Sequence, residues 1–449
     1  MVDIVIKNGT IVTMNEKNEV IKNGIIAIDG NEIIDIGKSS DLNKKYNADT
    51  TIDASGKVIL PGLINAHDHS YQILLRGVLF DKPLPVWDKK FAWPAAAKLT
   101  RQDCYLSALL TYAEMIKSGT TCAIDNWYIQ SWKNADHVAK AFEEIGIRGI
   151  IAWGFMDRKV PESLRTESAK ALSEFQKFLE KWNGAANGRM HVWFGPPGTF
   201  ACSMESLKKA YEIANKHGVG FNIHVAGTPE AESGILWEHG MREVEFLLKN
   251  GLLGQNVLAV HCVWVNAREI NILKEAGTKV VHNPIGNMNL ASGVAPITEM
   301  LNVGMTVALG TDGLATYSKD MFEVMRAAAW LHKVTKLDSE TIDANKILRM
   351  ATIEGAKALN LDGEIGSLES NKKADLIILN LKNLHAIPRH HIIPQIVYCA
   401  KAHDVETVLI DGRTVVEDRQ IKTINESDLV QKVQKSAAKL WERTGVDIN

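Results

Sequence analysis

Apolar and polar positions alternate with a period of two over the first 56 residues, in DIVIKN, GTIVTMN, GIIAIDG and EIIDIG, with Asn-Gly and Asp-Gly between runs. That pattern predicts a meander of half-buried strands joined by tight turns. The same texture returns only after residue 370, in ADLIILNL and ETVLIDGRTVVEDR. The two ends are therefore expected to form one small β-sandwich from residues 1–56 and 369–425. A closing helix is predicted over residues 426–449, where SDLVQKVQKSAAKLWERTG opens on a capping serine and then places apolar residues at helical spacing.

Between the ends, short unbroken apolar runs alternate with amphipathic stretches. Eight runs stand out, at residues 58–66, 120–125, 148–155, 191–195, 220–226, 257–263, 279–283 and 306–312. Strands without alternation are those buried on both faces, and strand-helix repetition predicts parallel pairing with crossover helices. Eight such units over residues 57–368 predict a (β/α)8 TIM barrel. The helix after the first run illustrates the reading: Thr100 caps it with Asp103 three residues on, Leu106, Leu109, Leu110, Ala113 and Ile116 form its buried stripe, and Gly119 stops it.

A barrel gathers chemistry at the C-terminal ends of its strands. Here the first run ends at His67-Asp68-His69, the second at Asp125, and the fifth, sixth, seventh and eighth at His224, His261, His282 and Asp312. Burying that many imidazoles and carboxylates around one axis is costly unless something pairs them. Period-two spacing puts His67 and His69 on the same side of a strand, so both can bind one ion. Imidazole and carboxylate donors suit Zn²⁺ or Fe²⁺. Cys262 is read as a core filler and not a ligand, and the five scattered cysteines as reduced thiols. Gln72, Trp87, Phe91, Trp93 and Trp127 follow the first two strands, where flat aromatic walls suit a planar heterocycle; Asp125, Asn126, Asn283 and Asn287 are candidate partners for its ring nitrogens. Lys and Arg number 51 against 53 Asp and Glu, for a net charge of -2, which implies no basic face of the size nucleic acid requires, and no nucleic-acid partner is expected. No apolar run is long enough to span a bilayer and the first residues lack the form of a signal peptide. A cytoplasmic homo-oligomer, dimer or larger, acting on a small molecule is expected.

The segment Leu60-Pro61-Gly62-Leu63-Ile64-Asn65-Ala66-His67-Asp68-His69, together with His224, His261 and Gly310-Thr311-Asp312, resembles the amidohydrolase superfamily. QILLRG (72–77), ASGVAPITEM (291–300), residues 350–381 and VETVLIDGRTVVEDR (405–419) are similar to its branch of triazine chlorohydrolases, triazine deaminases and adenosine-type deaminases. The resemblance implies that His67, His69, His224 and Asp312 hold one divalent metal and that His261 orients the nucleophilic water. It implies hydrolytic deamination of an aminotriazine, pyrimidine, purine or pterin, with Asp312 taking the water's proton. Hydrolytic dechlorination, or removal of another good leaving group from a heterocycle, is the enzymatic alternative, and a relative without catalysis the third reading. The chain departs from the branch at one place: three residues after His224 the family has a proton-shuttling glutamate, and this sequence has Gly227. Glu230, Glu232, His282 or a relay through Asp312 are the candidates to replace it. After Asp312 the run Gly-Leu-Ala-Thr lacks the polar side chains of some triazine enzymes.

Overall fold

The computed structural model describes residues 1–78, 81–313 and 317–447. Eight parallel strands follow one another in chain order: β1 (Leu63–Asp68), β2 (Thr120–Trp127), β3 (Arg148–Trp153), β4 (Met190–Phe194), β5 (Phe221–Val225), β6 (Val257–His261), β7 (Lys279–His282) and β8 (Val307–Leu309). A parallel bridge between Asp68 and Asp312 closes the ring, and the Asp312 N–H donates to the His67 carbonyl at 2.9 Å. Every residue of β1, β2 and β3 is buried, which accounts for their unbroken apolar character. All eight predicted runs thus contribute a strand to the barrel.

The first run behaves differently from the expectation. Residues 58–66 are two strands, because Val58–Pro61 belongs to the terminal sheet and only β1 belongs to the barrel. Gly62 is the joint: a Cβ there would lie 1.9 Å from Thr121 Oγ1, so only glycine lets the chain pass from one sheet to the other. The change of sheet therefore falls at Gly62 and not at residue 57.

The two ends of the chain share one nine-stranded sheet. Val58–Pro61 joins them, running parallel to Val2–Val12 and antiparallel to Leu376–Leu379. Ile6, Ile28 and Ile59 bury against Leu376, Ile378 and Leu409, so the two ends of the chain share a core. The Asn8-Gly9 pair, expected as a turn, is a bulge inside the continuous strand Val2–Val12: Asn8 takes φ 68° and the pairing slips between Lys7 and Gly9. The Asp411-Gly412 turn is present as expected, between Val405–Ile410 and Arg413–Glu417.

Helix α1 (Arg101–Lys117) starts at the capping box read from the sequence, with Asp103 N–H donating to Thr100 Oγ1 at 3.2 Å and Thr100 N–H to Asp103 Oδ2 at 2.8 Å. The same Asp103 carboxylate accepts from Arg443 at 2.5 Å and from Ser436, which docks the terminal helix Glu426–Thr444 on α1. That helix is capped by Asn425, whose side chain accepts from Asp428 N–H at 3.0 Å, and not by the serine that follows. Among the described residues no helix is long and apolar enough to cross a membrane.

Candidate active site

Alternation along β1 sends the His67 and His69 side chains to the same side, and closure of the barrel brings β5 and the end of β8 to meet them. His67 Nε2 and His69 Nε2 lie 3.1 Å apart, and His69 Nε2 and His224 Nε2 3.2 Å. Asp312 Oδ1 stands 3.6 Å from both His67 Nε2 and His69 Nε2. His69 Nδ1 sits 2.8 Å from the Asn126 carbonyl, which can only accept, so the ring proton is on Nδ1 and the Nε2 lone pair faces inward. Lone pairs and an anionic oxygen crowded together repel one another unless a cation lies among them. Tetrahedral Zn²⁺ with bonds of ~2.0–2.1 Å separates its ligand atoms by roughly 3.3 Å, so this donor set fits a divalent ion held by His67, His69, His224 and Asp312. His261 joins from β6; its ligating atom falls within 4.8 Å of those of His67 and His224, and its Nδ1 is fixed 3.0 Å from Asn287 Oδ1.

The electrostatics agree with that role. Burial, reinforced by the neighbouring His67, pushes His69 down to about 3, and burial drives His224 and His261 down as well, so these rings are neutral donors at pH 7. Burial alone would raise Asp312, but His67, 3.6 Å away, and the other surrounding imidazoles hold it well below the usual carboxylate range. The backbone is strained around this cluster. Ala226, His261, Cys262 and Asp312 all take positive φ, at 45°, 75°, 48° and 61°. Such conformations cost of order 1–3 kcal/mol each in non-glycine residues and persist where the surrounding structure enforces them. Two buried pairs brace the ends of β1 and β8: Asn65 Nδ2 donates to Thr311 Oγ1 at 2.6 Å, and Lys319 Nζ donates to Asp68 Oδ2 at 2.6 Å and to the Asp312 carbonyl at 2.9 Å.

The cluster forms the floor of a cavity of about 360 Å³ walled by Trp87, Trp93, Tyr128, Phe200 and Tyr317. Gln72 also faces it, and a Cβ on Gly313 would fall 1.9 Å from Gln72 Oε1, so the glycine after Asp312 makes room for that amide. Gln72, Trp87, Trp93 and Glu230 thus line the cavity, Glu230 as an exposed residue on Pro229–His239.

Other candidates have different positions. Trp127 is buried in the core, with Nε1 donating to the Ile129 carbonyl at 3.0 Å, and Phe91 packs on Trp441. Asp125 is committed to Ser70, accepting its N–H at 3.0 Å and its hydroxyl at 2.5 Å, and to the Tyr112 hydroxyl at 2.6 Å. Asn126 Nδ2 donates to the Gly195 carbonyl at 2.8 Å, and Asn283 lies behind His261, with Nδ2 3.3 Å from Nδ1. None of these five faces the cavity. His282 contacts His332 on the outer helix Met321–Lys336 at 3.1 Å, and Glu232 pairs with Arg242 at 3.3 Å; neither faces the cavity. Of the Gly-Leu-Ala-Thr run, residues 314–316 lie outside the described residues.

Sequence reasoning missed Tyr128, Phe200, Asp88 and Glu243, all of which line the cavity. Tyr128 had a usable signal, since it adjoins Trp127 at the end of β2. Glu243 had none: it opens Glu243–Lys249 within MREVEF, a charged stretch that reads as a solvated helix start.

The amidohydrolase family model matches residues 58–415. A 5'-deoxyadenosine deaminase of Methanosarcina mazei is 39% identical over 444 residues, 99% of each chain. A 5-methylthioadenosine/S-adenosylhomocysteine deaminase of Thermoanaerobacter pseudethanolicus is 38% identical, covering 98% of this chain and 100% of that one. Among solved structures, a zinc-bound adenosine deaminase from Xanthomonas campestris superposes with a TM-score of 0.93 at 27% identity, over 98% of this chain and 99% of that chain. A zinc complex of atrazine chlorohydrolase from Arthrobacter aurescens shares the fold at a TM-score of 0.90 and 23% identity, over 97% of this chain and 100% of that chain. With the barrel, the ligand cluster and these likenesses together, the chain belongs to the amidohydrolase family.

Proposed function

We propose that the protein is a divalent-metal hydrolase that removes the amino group from the 6-aminopurine ring of a nucleoside altered or lacking its oxygen at the 5' position. The observation that carries this reading is the cluster of neutral imidazoles and one carboxylate on the floor of an aromatic-walled cavity. The volume, about 360 Å³, is in the range that encloses a ligand of nucleoside size. The aminopurine nucleosides named for the relatives at 38–39% identity support the substrate class.

His67, His69, His224 and Asp312 would hold a divalent ion, and the chemistry it would supply is a water acidic enough to serve as a nucleophile at neutral pH. The chain's own residues do the rest. Asp312, kept ionised, accepts a proton from the attacking water. His261, its ring fixed through Asn287, orients that water. The aromatic walls flank the flat base and exclude bulk solvent. Asparagine at His261 is expected to leave the metal content near that of the wild type while lowering kcat by about 100-fold or more, since a preorganised donor acts on charge that develops in the transition state. Equal loss of metal in His261→Asn and His67→Asn would overturn that division of roles.

The activity test is direct. Zinc-loaded protein is incubated separately with 5'-deoxyadenosine, 5'-methylthioadenosine, adenosine, and amino- and chlorotriazines, and ammonia and chloride are measured. Ammonia from the 6-aminopurine nucleosides is expected. Chloride from chlorotriazines, with no ammonia from any amino compound, would replace deamination by dechlorination.

A further inference from the structure

Water cannot add to the purine carbon unless the adjacent ring nitrogen takes up a proton, and Gly227 carries no side chain to give one. Five carboxyls line the cavity. Asp312 belongs to the ligand cluster. Asp81 and Glu230 are exposed, and Asp88, part-exposed, rides on the segment above the cavity. Glu243 alone is both fully buried, at 3% exposure, and anchored beside the cluster.

The anchoring is specific. Glu243 Oε2 accepts the Ala226 N–H at 2.6 Å, two residues beyond the ligand His224, and Oε1 accepts from the Thr199 hydroxyl. Ala226 takes φ 45°, and the next residue is the bare Gly227, where a Cβ would sit 3.1 Å from the His261 ring. Glu243, Gly227 and His261 line the same cavity, and the glycine puts no side chain into it. We propose that Glu243, reaching in from the following helix, is the catalytic acid-base residue that gives and retrieves the proton on the purine ring nitrogen. The proposal rests on the deaminase reading and deepens it.

The proton count closes. As the water oxygen bonds to the ring carbon, its proton passes to the Asp312 carboxylate, and the Glu243 carboxyl gives its proton to the adjacent ring nitrogen. Asp312 then protonates the amino group. The carbon–nitrogen bond breaks with its electron pair on nitrogen, ammonia leaves, and the new hydroxyl returns its proton to Glu243 as the carbonyl forms. Both residues end as they began. A hydroxyl can donate or accept, so Thr199 keeps hold of the Glu243 carboxyl in either state.

The surroundings suit such a cycle. Burial pushes Glu243 up to about 7, the hydrogen bonds from Thr199 and Ala226 oppose the rise, and the nearby Glu232 and Glu269 add to it. Arg242, which pairs with Glu269 at 2.8 Å and Glu232 at 3.3 Å, and the buried thiol of Cys262 also lie near it. A general acid must be protonated to act, so activity carried by Glu243 falls as pH rises through about 7.

The test uses zinc-loaded full-length protein and ammonia release from 5'-deoxyadenosine. Glu243→Gln keeps the shape and both anchoring contacts; it is expected to lower kcat at least about 100-fold, with KM within about threefold and metal content unchanged. The falling limb of kcat near pH 7 disappears in that variant. Gly227 is not in a left-handed conformation, so it accepts a side chain if His261 gives by a few tenths of an ångström. Adding Gly227→Glu to Glu243→Gln is expected to recover at least about tenfold of the lost kcat, a rescue that a merely structural role for Glu243 would not show. Glu243→Gln with more than a third of wild-type kcat, or with its metal lost, overturns the proposal. Wild-type protein that releases no ammonia rejects the deaminase reading, and the acid role falls with it. The two failures are distinct because the first leaves wild-type turnover intact.

Discussion

Asparagine in place of His67 is expected to leave a folded protein that retains almost no metal after dialysis and turns over at least about 1,000-fold more slowly. The magnitude follows from the task of the ion. Activating a water and stabilising the charge that builds on the substrate amounts to several kcal/mol, and each 1.4 kcal/mol is a factor of ten. The location follows from geometry. His67 Nε2 lies against His69 Nε2 and faces Asp312 Oδ1, so removing it leaves a gap in the centre of the donor set and not at its rim. Metal content by elemental analysis reads the effect without reference to turnover, and so does melting temperature: an ion that binds the native state at a hundred times its Kd contributes about 2.7 kcal/mol of stability. Wild-type protein should therefore melt higher with added zinc, and the His67→Asn protein should not respond. Full turnover after exhaustive chelation of the wild type would mean that the cluster does not serve the reaction.

The clustering of these imidazoles with one carboxylate was legible because two regularities coincide. A strand's period of two pairs His67 with His69, and a parallel barrel delivers the ends of β5, β6 and β8 to the same face, so His224, His261 and Asp312 could be placed before their distances were known. The polar residues around them were not separable on that basis. Asp125 and Asn283 stand near strand ends as His224 does, yet they turn to Ser70 and to His261, because hydrogen-bond partners on or beside the neighbouring strand decide which way a side chain faces. Glu243 shows the limit from the other side. Nothing local distinguishes it from the solvated glutamates that open many helices, and its burial depends on Ala226 and Thr199 meeting it from β5 and from the loop after β4. Boundaries failed for a comparable reason. Residues 58–66 are apolar throughout, and only the near collision at Thr121 shows that Gly62 divides them between two sheets.

Arg148 is where the largest loss of stability is expected. It opens β3 in the barrel, and its guanidinium, 1% exposed, crosses to the terminal sheet: Nε donates to Asp375 Oδ2 at 2.7 Å, and one terminal nitrogen donates to Asp375 Oδ1 at 3.1 Å and to Asp411 Oδ1 at 2.8 Å. Asp411 N–H also donates to Asp375 Oδ1 at 2.8 Å, so three chain segments far apart in sequence meet at this one group. Such a network is a poor source of net stability while intact, since three charged groups have lost their water. Breaking it is another matter. Arg148→Met fills much of the volume but strands two buried carboxylates, leaving Asp411 with Arg189 at 3.7 Å and the Asn31 amide at 3.2 Å. The cost is about 3–5 kcal/mol, a large share of the roughly 5–15 kcal/mol that separates folded from unfolded chains. Urea unfolding followed by tryptophan fluorescence should show the midpoint of Arg148→Met well below that of the wild type. Adding Asp375→Asn and Asp411→Asn, which remove the stranded charges, should return part of the difference; the Asp411 change is tolerated because asparagine also accepts the φ of 55° found there. If Arg148→Met unfolds within about 1 kcal/mol of the wild type, or the added changes make it worse, the barrel and the terminal sheet are held together by their apolar contact and not through this charge.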